Sequence, residues 1–163
     1  MQIKKRKILS KKEKKILLAD LIQEYGEHIS STIGSSIELE EIKADENIFI
    51  AKDRKIWFFY LNNKIIPSIN FLRESNFELP EVVVDIGAIK FITNGADVMA
   101  PGVVSFSEEA EEGFIVVIKE EKAGSIIGVG ISLINSQDFR KTRKGKVVKL
   151  LHHLKDAIWS FQL

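Results

Sequence analysis

The 163-residue chain contains no cysteine. Without thiols it cannot form disulfides, thiolate zinc sites or iron–sulfur clusters, and it has no cysteine nucleophile. No apolar run reaches the roughly 18 residues that a membrane span requires. The N-terminus also lacks the apolar core and the small-residue cleavage site of a secretory signal. These absences predict an intracellular protein of the cytoplasm that has no membrane partner.

The composition is that of an ordinary folded protein. Hydrophobic residues make up 45% of the chain and charged residues 29%, which is enough apolar material for a buried core and too much for global disorder. At roughly 100–200 residues per domain, the length allows one domain or two small ones.

The net charge of +1 conceals two basic blocks. Residues 1–15 carry a net charge of +7 and residues 140–149 carry +6, which leaves −12 for the rest of the chain. Such a distribution produces a directional field that can steer a polyanion to one face. Lysine-rich segments are also often simply exposed to solvent without binding a partner. For each block alone, binding of a polyanion and simple solvent exposure are equally open.

The N-terminal segment predicts a basic strand followed by a helix. Residues 2–9 fit a short strand. Ser10 followed by Glu13 fits a capping box. Apolar residues then recur at helical spacing, which predicts an amphipathic helix over residues 11–25 that ends at Gly26.

Strands follow from residue 37 onward. The clearest is the apolar run over residues 56–61, and the Asn62-Asn63 pair after it predicts a tight hairpin turn. Ser68 is expected to cap a short helix that runs through Arg73.

The second half of the chain predicts a small barrel. A connector ending at Pro80 predicts a boundary between a domain at 1–80 and a domain at 81–163. A strand at 82–85 and a helix at 86–93 open the second domain. Further strands are expected at 97–100, 103–106, 114–119, 125–133, 147–151 and 157–161. Many short strands separated by turns are typical of small barrels.

Nothing in the sequence favours an enzyme, a metal or a cofactor. Gly124, Gly128 and Gly130 lie in a strand-like segment without the Gly-Lys-Ser/Thr of a phosphate loop, so they indicate a bulge or a barrel bend. His152 and His153 would point to opposite faces of a strand, so they cannot easily share a metal. One of the two is expected to be a packed barrel residue.

The most informative stretch is residues 85–103, which contains Gly-Ala-Asp-Val-Met-Ala-Pro-Gly starting at Gly95. Together with residues 144–159 it resembles the PUA domain, a small RNA-binding pseudobarrel. Residues 55–68 and 77–80 resemble the N-terminal domain of the malignant-T-cell-amplified-sequence proteins. The resemblance implies an α+β fold, in which a small α+β domain is followed by a PUA-type β pseudobarrel, and an archaeal member of that family.

The resemblance implies that the chain binds RNA in translation. The expected ligand is small-subunit ribosomal RNA or the acceptor end of tRNA, with the small ribosomal subunit and a translation-factor protein as further partners. A loop at Gly95 would let an RNA backbone approach closely, and lysines beside it would contact phosphates. The predicted RNA-binding residues are Lys90, Asn94, Gly95, Ala96, Met99, Arg143, Lys146, Lys149 and His152.

Several roles stay open at this point. Met99 either offers an apolar shelf to a base or packs in the barrel. Asp97 either holds the loop through backbone amides or touches RNA. Lys90 and the 140–149 block are expected to share one face beside the loop.

Two other functions are alternatives to translation. The chain fits a subunit that targets RNA to a modification complex, and it also fits a protein-interaction adaptor with a degenerate PUA domain.

Overall fold

The first 67 residues build a five-stranded antiparallel sheet in the computed structural model, which describes residues 1–163. Each strand pairs with its neighbour in the sequence, so the sheet order is the chain order. The strands are β1 (Ile3–Ile8), β2 (Glu40–Ala44), β3 (Asn47–Lys52), β4 (Lys55–Leu61) and β5 (Lys64–Pro67). Asn62 and Asn63 have φ of 49° and 63°, a region that asparagine tolerates, and the predicted hairpin is confirmed.

Two helices accompany this sheet, α1 (Lys11–Tyr25) and α2 (Ile69–Ser75). The predicted capping box of α1 is present, because Ser10 Oγ accepts from the Glu13 amide and the Glu13 carboxylate accepts from the Ser10 amide. Ser68 caps α2 through the amide of Phe71. The Phe71 ring packs 4.5 Å from that of Phe58 on β4.

A six-stranded sheet forms the rest of the fold, in the order β7-β11-β10-β9-β6-β8. Its strands are β6 (Glu81–Val84), β7 (Val98–Met99), β8 (Val103–Phe106), β9 (Ile115–Glu120), β10 (Ile126–Ser132) and β11 (Lys146–His153). Only residues 100–102 separate the edge strand β7 from the other edge strand β8, so the sheet curls into a nearly closed barrel. The α+β class with a β pseudobarrel is confirmed.

Short helices lie between the barrel strands and after the last of them. They are α3 (Ile89–Ile92), preceded by a 3-10 turn at residues 86–88, then α4 (Ser136–Thr142) and α5 (Ala157–Ser160). The barrel interior is apolar, with Val84, Ile118 and Val148 fully buried. None of the helices in the chain is both long and apolar enough to cross a membrane.

The strand predicted at 157–161 is wrong, because residues 157–160 form the helix α5. The carboxylate of Asp156 accepts hydrogen bonds from the amides of Trp159 and His153, at 2.8 and 2.9 Å. A side chain that satisfies the first free amides of a helix favours helix over strand. The apolar pattern of this segment did not reveal that cap.

Gly130 lies where β10 and β11 approach most closely. A Cβ at this position would stand 2.5 Å from Val148 Cγ1 and 2.6 Å from the Lys149 carbonyl oxygen. The strand register also shifts between Val129 and Gly130. Gly130 thus marks the position of a bulge, as predicted, and the extra residue of that bulge is Leu151 on β11.

The chain divides into two compact units, which we call the N-terminal unit (residues 1–77 and 161–163) and the C-terminal unit (residues 78–160). In the N-terminal unit the Phe161 ring lies 6.0 Å from that of Phe49, and Arg54 Nε donates to the Leu163 carbonyl oxygen. The predicted domain boundary at residue 80 stays a prediction about independent folding.

A fragment of residues 78–160 is expected to fold alone, because its sheet and its apolar core lie within that range. Thermal unfolding followed by circular dichroism should show one cooperative transition, and the amide proton spectrum should be dispersed. A fragment without a cooperative transition would show that the C-terminal unit is not an independent domain.

Gly130→Ala is expected to lower the free energy of unfolding by about 2 kcal/mol or more, since overpacking a close contact costs roughly 1–3 kcal/mol and here one contact is backbone. Urea unfolding of the full chain measures this. Gly34→Ala is the matched control, because the nearest atom to its Cβ would be Ser36 Oγ, at 3.9 Å. Equal midpoints for Gly130→Ala and the parent would contradict the close approach.

Candidate nucleic-acid interface

The loop at residues 94–96, which we call the glycine loop, is exposed to solvent, and at Gly95 its main chain carries no side chain. It follows α3, and the amides of Gly95 and Ala96 donate back to the carbonyl oxygens of Ile92 and Phe91, at 3.0 and 2.9 Å. All three loop residues are exposed. Gly95 has a φ of +96°, which favours glycine. A ligand can therefore approach this backbone without meeting a side chain at residue 95.

Asp97 joins the glycine loop to β11. Its Oδ1 accepts from the Leu150 amide at 2.7 Å, and its Oδ2 lies 2.8 Å from Lys146 Nζ. Of the two roles left open by the sequence, this geometry favours the one in which Asp97 holds the loop through a backbone amide.

The Asp97 carboxylate is stabilised in its charged form. Burial raises its pKa, but hydrogen bonds from Lys146 and the Leu150 amide, with the charges of Lys146 and Lys149, outweigh burial and hold the pKa below its ordinary value.

Strand pairing brings the second basic block beside the glycine loop. β11 runs antiparallel to β7, with Lys146 opposite Met99 and Val148 opposite Val98. Lys146 and Lys149 are both exposed. The Met99 side chain is 48% exposed, so it does not fill the barrel interior and an apolar group is available at the surface.

Lys90 and Phe91 flank the loop on the side of α3. Lys90 is exposed, and its Nζ lies 5.0 Å from the centroid of the Phe91 ring. Phe91 is 58% exposed, and its carbonyl oxygen accepts from Asn94 and Ala96. Phe91 was absent from the predicted site, although exposed aromatics are the side chains on which unpaired bases stack.

Arg143 sits at the C-terminal end of α4 with a φ of +43°. Its guanidinium lies 5.5 Å from the centroid of the Phe139 ring. Two residues further on, the Gly145 carbonyl oxygen accepts from the Ala100 amide, so the segment that carries Arg143 runs beside the end of β7.

His152 does not belong to this surface, which corrects its inclusion among the RNA-binding residues. Its side chain is fully buried at 0% exposure, and its Nδ1 lies 2.7 Å from Asp156 Oδ2. The alternative, a packed barrel histidine, is confirmed. The next residue, His153, is half-buried, and its Nε2 lies 3.5 Å from the position of a Cβ at Gly95. His153 is therefore the histidine beside the glycine loop.

The first basic block is partly neutralised in the fold. Three of its cations form ion pairs with carboxylates: Lys4 with Glu46, Arg6 with Glu40, and Lys7 with Glu13. Its Lys14 ammonium donates to two carbonyl oxygens. The field of this block is therefore weaker than its sequence charge of +7 suggests.

Two sequence families match the chain. Residues 5–75 match the family described as "Domain of unknown function (DUF1947)", and residues 80–154 match the PUA domain. The chain is thus a PUA-domain protein with a further domain in front.

Full-length relatives define its family. The chain is 38% identical to an uncharacterized protein of Methanocaldococcus jannaschii, covering 99% of each chain. It is 31% identical to translation machinery-associated protein 20 of Saccharomyces cerevisiae, covering 90% of this chain and 87% of the relative. The chain belongs to the family of translation machinery-associated protein 20 and the malignant T-cell-amplified sequence proteins.

Solved structures agree with this assignment. A hypothetical protein from Pyrococcus horikoshii is 35% identical, with a TM-score of 0.79 and coverage of 95% of this chain and 98% of that one. A conserved PUA domain protein from Thermoplasma acidophilum is 26% identical, with a TM-score of 0.80 and coverage of 94% and 97%.

Asp97→Asn is expected to lower the free energy of unfolding at pH 7 by about 0.5–1 kcal/mol, the range of a partly exposed ion pair. Because the pKa of Asp97 is lowered in the folded state, the ionised carboxylate contributes its full stabilisation above about pH 5. This stabilisation is lost as the pH falls below about 4. Urea unfolding of the parent and the variant from pH 7 to pH 3 measures this. A difference that stays constant over that range would contradict the charged tie between Asp97 and Lys146.

Proposed function

We propose that this chain binds structured RNA at the surface around the glycine loop and acts in translation. The observation that carries the proposal is the exposed main chain at Gly95 with lysines beside it. The residues proposed to contact RNA are Lys90, Asn94, Gly95, Ala96, Phe91, Met99, Arg143, Lys146 and Lys149.

The chemistry of the surface supports a phosphate backbone as ligand. Lys90 lies on α3, directly before the glycine loop, whereas Lys146 and Lys149 lie on β11, which pairs with β7 directly after it. Ammonium groups neutralise phosphates and release counterions, which supplies most of the sequence-independent affinity for nucleic acids. Cations on both α3 and β11 favour a nucleic-acid strand that passes over Gly95.

The apolar groups favour RNA with unpaired nucleotides. Phe91 and Met99 are large and exposed, and double-stranded RNA offers no free base faces to such side chains. Proteins usually read RNA at single-stranded ends and loops, where bases stack on aromatic residues. An unpaired end, such as the acceptor end of tRNA, therefore suits this surface.

The link to translation rests on family membership. The yeast relative, translation machinery-associated protein 20, is by its name a protein associated with the translation machinery. By that relationship we propose the small ribosomal subunit as the site of action in the cytoplasm, with ribosomal RNA or tRNA as ligand. Co-sedimentation with purified small subunits tests this. RNA binding without co-sedimentation would favour a targeting subunit of an RNA-modification complex instead.

The logarithm of the affinity for tRNA is expected to fall linearly with the logarithm of salt concentration. Contacts with four to six phosphates give a slope of about −3 to −5, at roughly 0.7–0.9 per phosphate. Lys149→Ala and Lys90→Ala should each reduce the size of that slope by about one, while the melting temperature stays nearly unchanged. Filter binding at several salt concentrations measures the slopes.

Lys122→Ala is the matched control, because it removes the same charge from an exposed turn that joins β9 to β10. Its slope should equal that of the parent. Absence of tRNA and ribosomal RNA binding at low salt would favour the protein-adaptor function. Equal slopes for all three variants would place the RNA elsewhere on the chain.

Gly95→Val should act by another route. A β-branched side chain at a φ of +96° is strained by about 1 kcal/mol or more, and it blocks the approach to the main chain. Both the stability and the RNA affinity should therefore fall, which urea unfolding and filter binding measure separately. Full affinity for tRNA in the folded variant would contradict a backbone approach at Gly95.

A further inference from the structure

We infer that His153 recognises a ribose 2′-hydroxyl and thereby gives the glycine-loop surface a preference for RNA over DNA. This inference rests on the function proposed above. It concerns one nitrogen atom, His153 Nε2, which lies beside the loop on a half-buried side chain.

The hydrogen bonds of His153 fix which ring nitrogen carries the proton. Its Nδ1 lies 2.8 Å from the carbonyl oxygen of Leu154. A carbonyl oxygen can only accept, so Nδ1 is the donor, and in the neutral ring Nε2 is then an acceptor. The backbone amide of His153 donates to Asp156, which fixes the end of the strand and with it the position of the ring.

Nε2 is also accessible from the glycine loop. A Cβ at residue 95 would stand 3.5 Å from this nitrogen, and glycine has no such atom. The lack of a side chain at Gly95 therefore exposes its main chain and also leaves room for a ligand to approach Nε2. Glycine at residue 95 thus leaves the loop side of this acceptor uncovered.

An accepting nitrogen selects its ligand by chemistry. A phosphate oxygen of the backbone has no proton to donate, so Nε2 of the neutral ring does not bind it. A ribose 2′-hydroxyl can donate, and it belongs to RNA alone. If the lysines on α3 and β11 contact the phosphates of a strand that crosses Gly95, a sugar between those phosphates brings its 2′-hydroxyl to the same side of the loop as Nε2. The proposed ligand is therefore the 2′-hydroxyl of a nucleotide that crosses Gly95.

The test compares two hairpin probes with the same stem and the same four unpaired 3′-terminal nucleotides. In one probe those four nucleotides are ribonucleotides, and in the other they are 2′-deoxynucleotides. The parent chain should bind the ribonucleotide probe about three- to tenfold more tightly, the range of one hydrogen bond. His153→Phe keeps a planar ring against Gly95 but has no acceptor, so the two affinities should become equal.

Lys149→Ala provides the control, because it should weaken both probes by the same factor and leave their ratio unchanged. If the parent binds neither probe, the proposed RNA-binding function is wrong. If the parent binds both probes equally, or if folded His153→Phe keeps the preference, the assignment of His153 is wrong while RNA binding stands.

A second measurement does not depend on the variant folding. The ¹⁵N resonance of His153 Nε2 in the parent should shift on addition of the ribonucleotide probe and shift less with the deoxynucleotide probe. Identical shifts with both probes would overturn the inference.

Discussion

The candidate RNA surface depends on the carboxylate of Asp97. One of its oxygens accepts from the Leu150 amide on β11, and the other pairs with Lys146 on the same strand. The residue itself lies between the glycine loop and β7. A single short side chain thus fixes the loop against the strand that carries the lysines. This side chain adds to the pairing of β7 with β11, which already places the cations of β11 next to the segment that follows Gly95.

The barrel supplies the rigid frame for this arrangement. β11 can lie close to β10 because Gly130 has no side chain where Val148 and the Lys149 carbonyl oxygen approach it. The same strand then pairs with β7 on its other edge. The position of Lys149 at the surface is therefore set by a glycine inside the sheet. Sites held by strands in this way are more precise than sites held by loops alone.

Local signals in the sequence predicted most of the fold. Caps at Ser10 and Ser68 and the turn at Asn62-Asn63 act over a few residues, so their outcome was predictable. The helix at 157–160 was missed because its cap depends on the Asp156 carboxylate, which also contacts His152 and the His153 amide. A pattern of apolar residues does not show such a shared side chain.

The candidate site was predictable only in part. Alternation showed that His152 and His153 point apart, but not which one is inside. The register between β10 and β11 shifts between Val129 and Gly130, so one residue of β11 has no opposite residue on β10. This bulge interrupts the alternation of inward and outward side chains along β11. The exposure of Phe91 and the ion pairs of the first basic block likewise depend on tertiary contacts, which a single sequence does not reveal.

We propose that RNA lies across the glycine loop of the C-terminal unit. Ultraviolet crosslinking of the full chain to tRNA or to small-subunit ribosomal RNA, followed by mass spectrometry of the attached peptides, tests it most directly. Crosslinks are expected within residues 90–99 and 146–153, with Phe91 among the modified side chains. Crosslinks confined to residues 1–77 would contradict it.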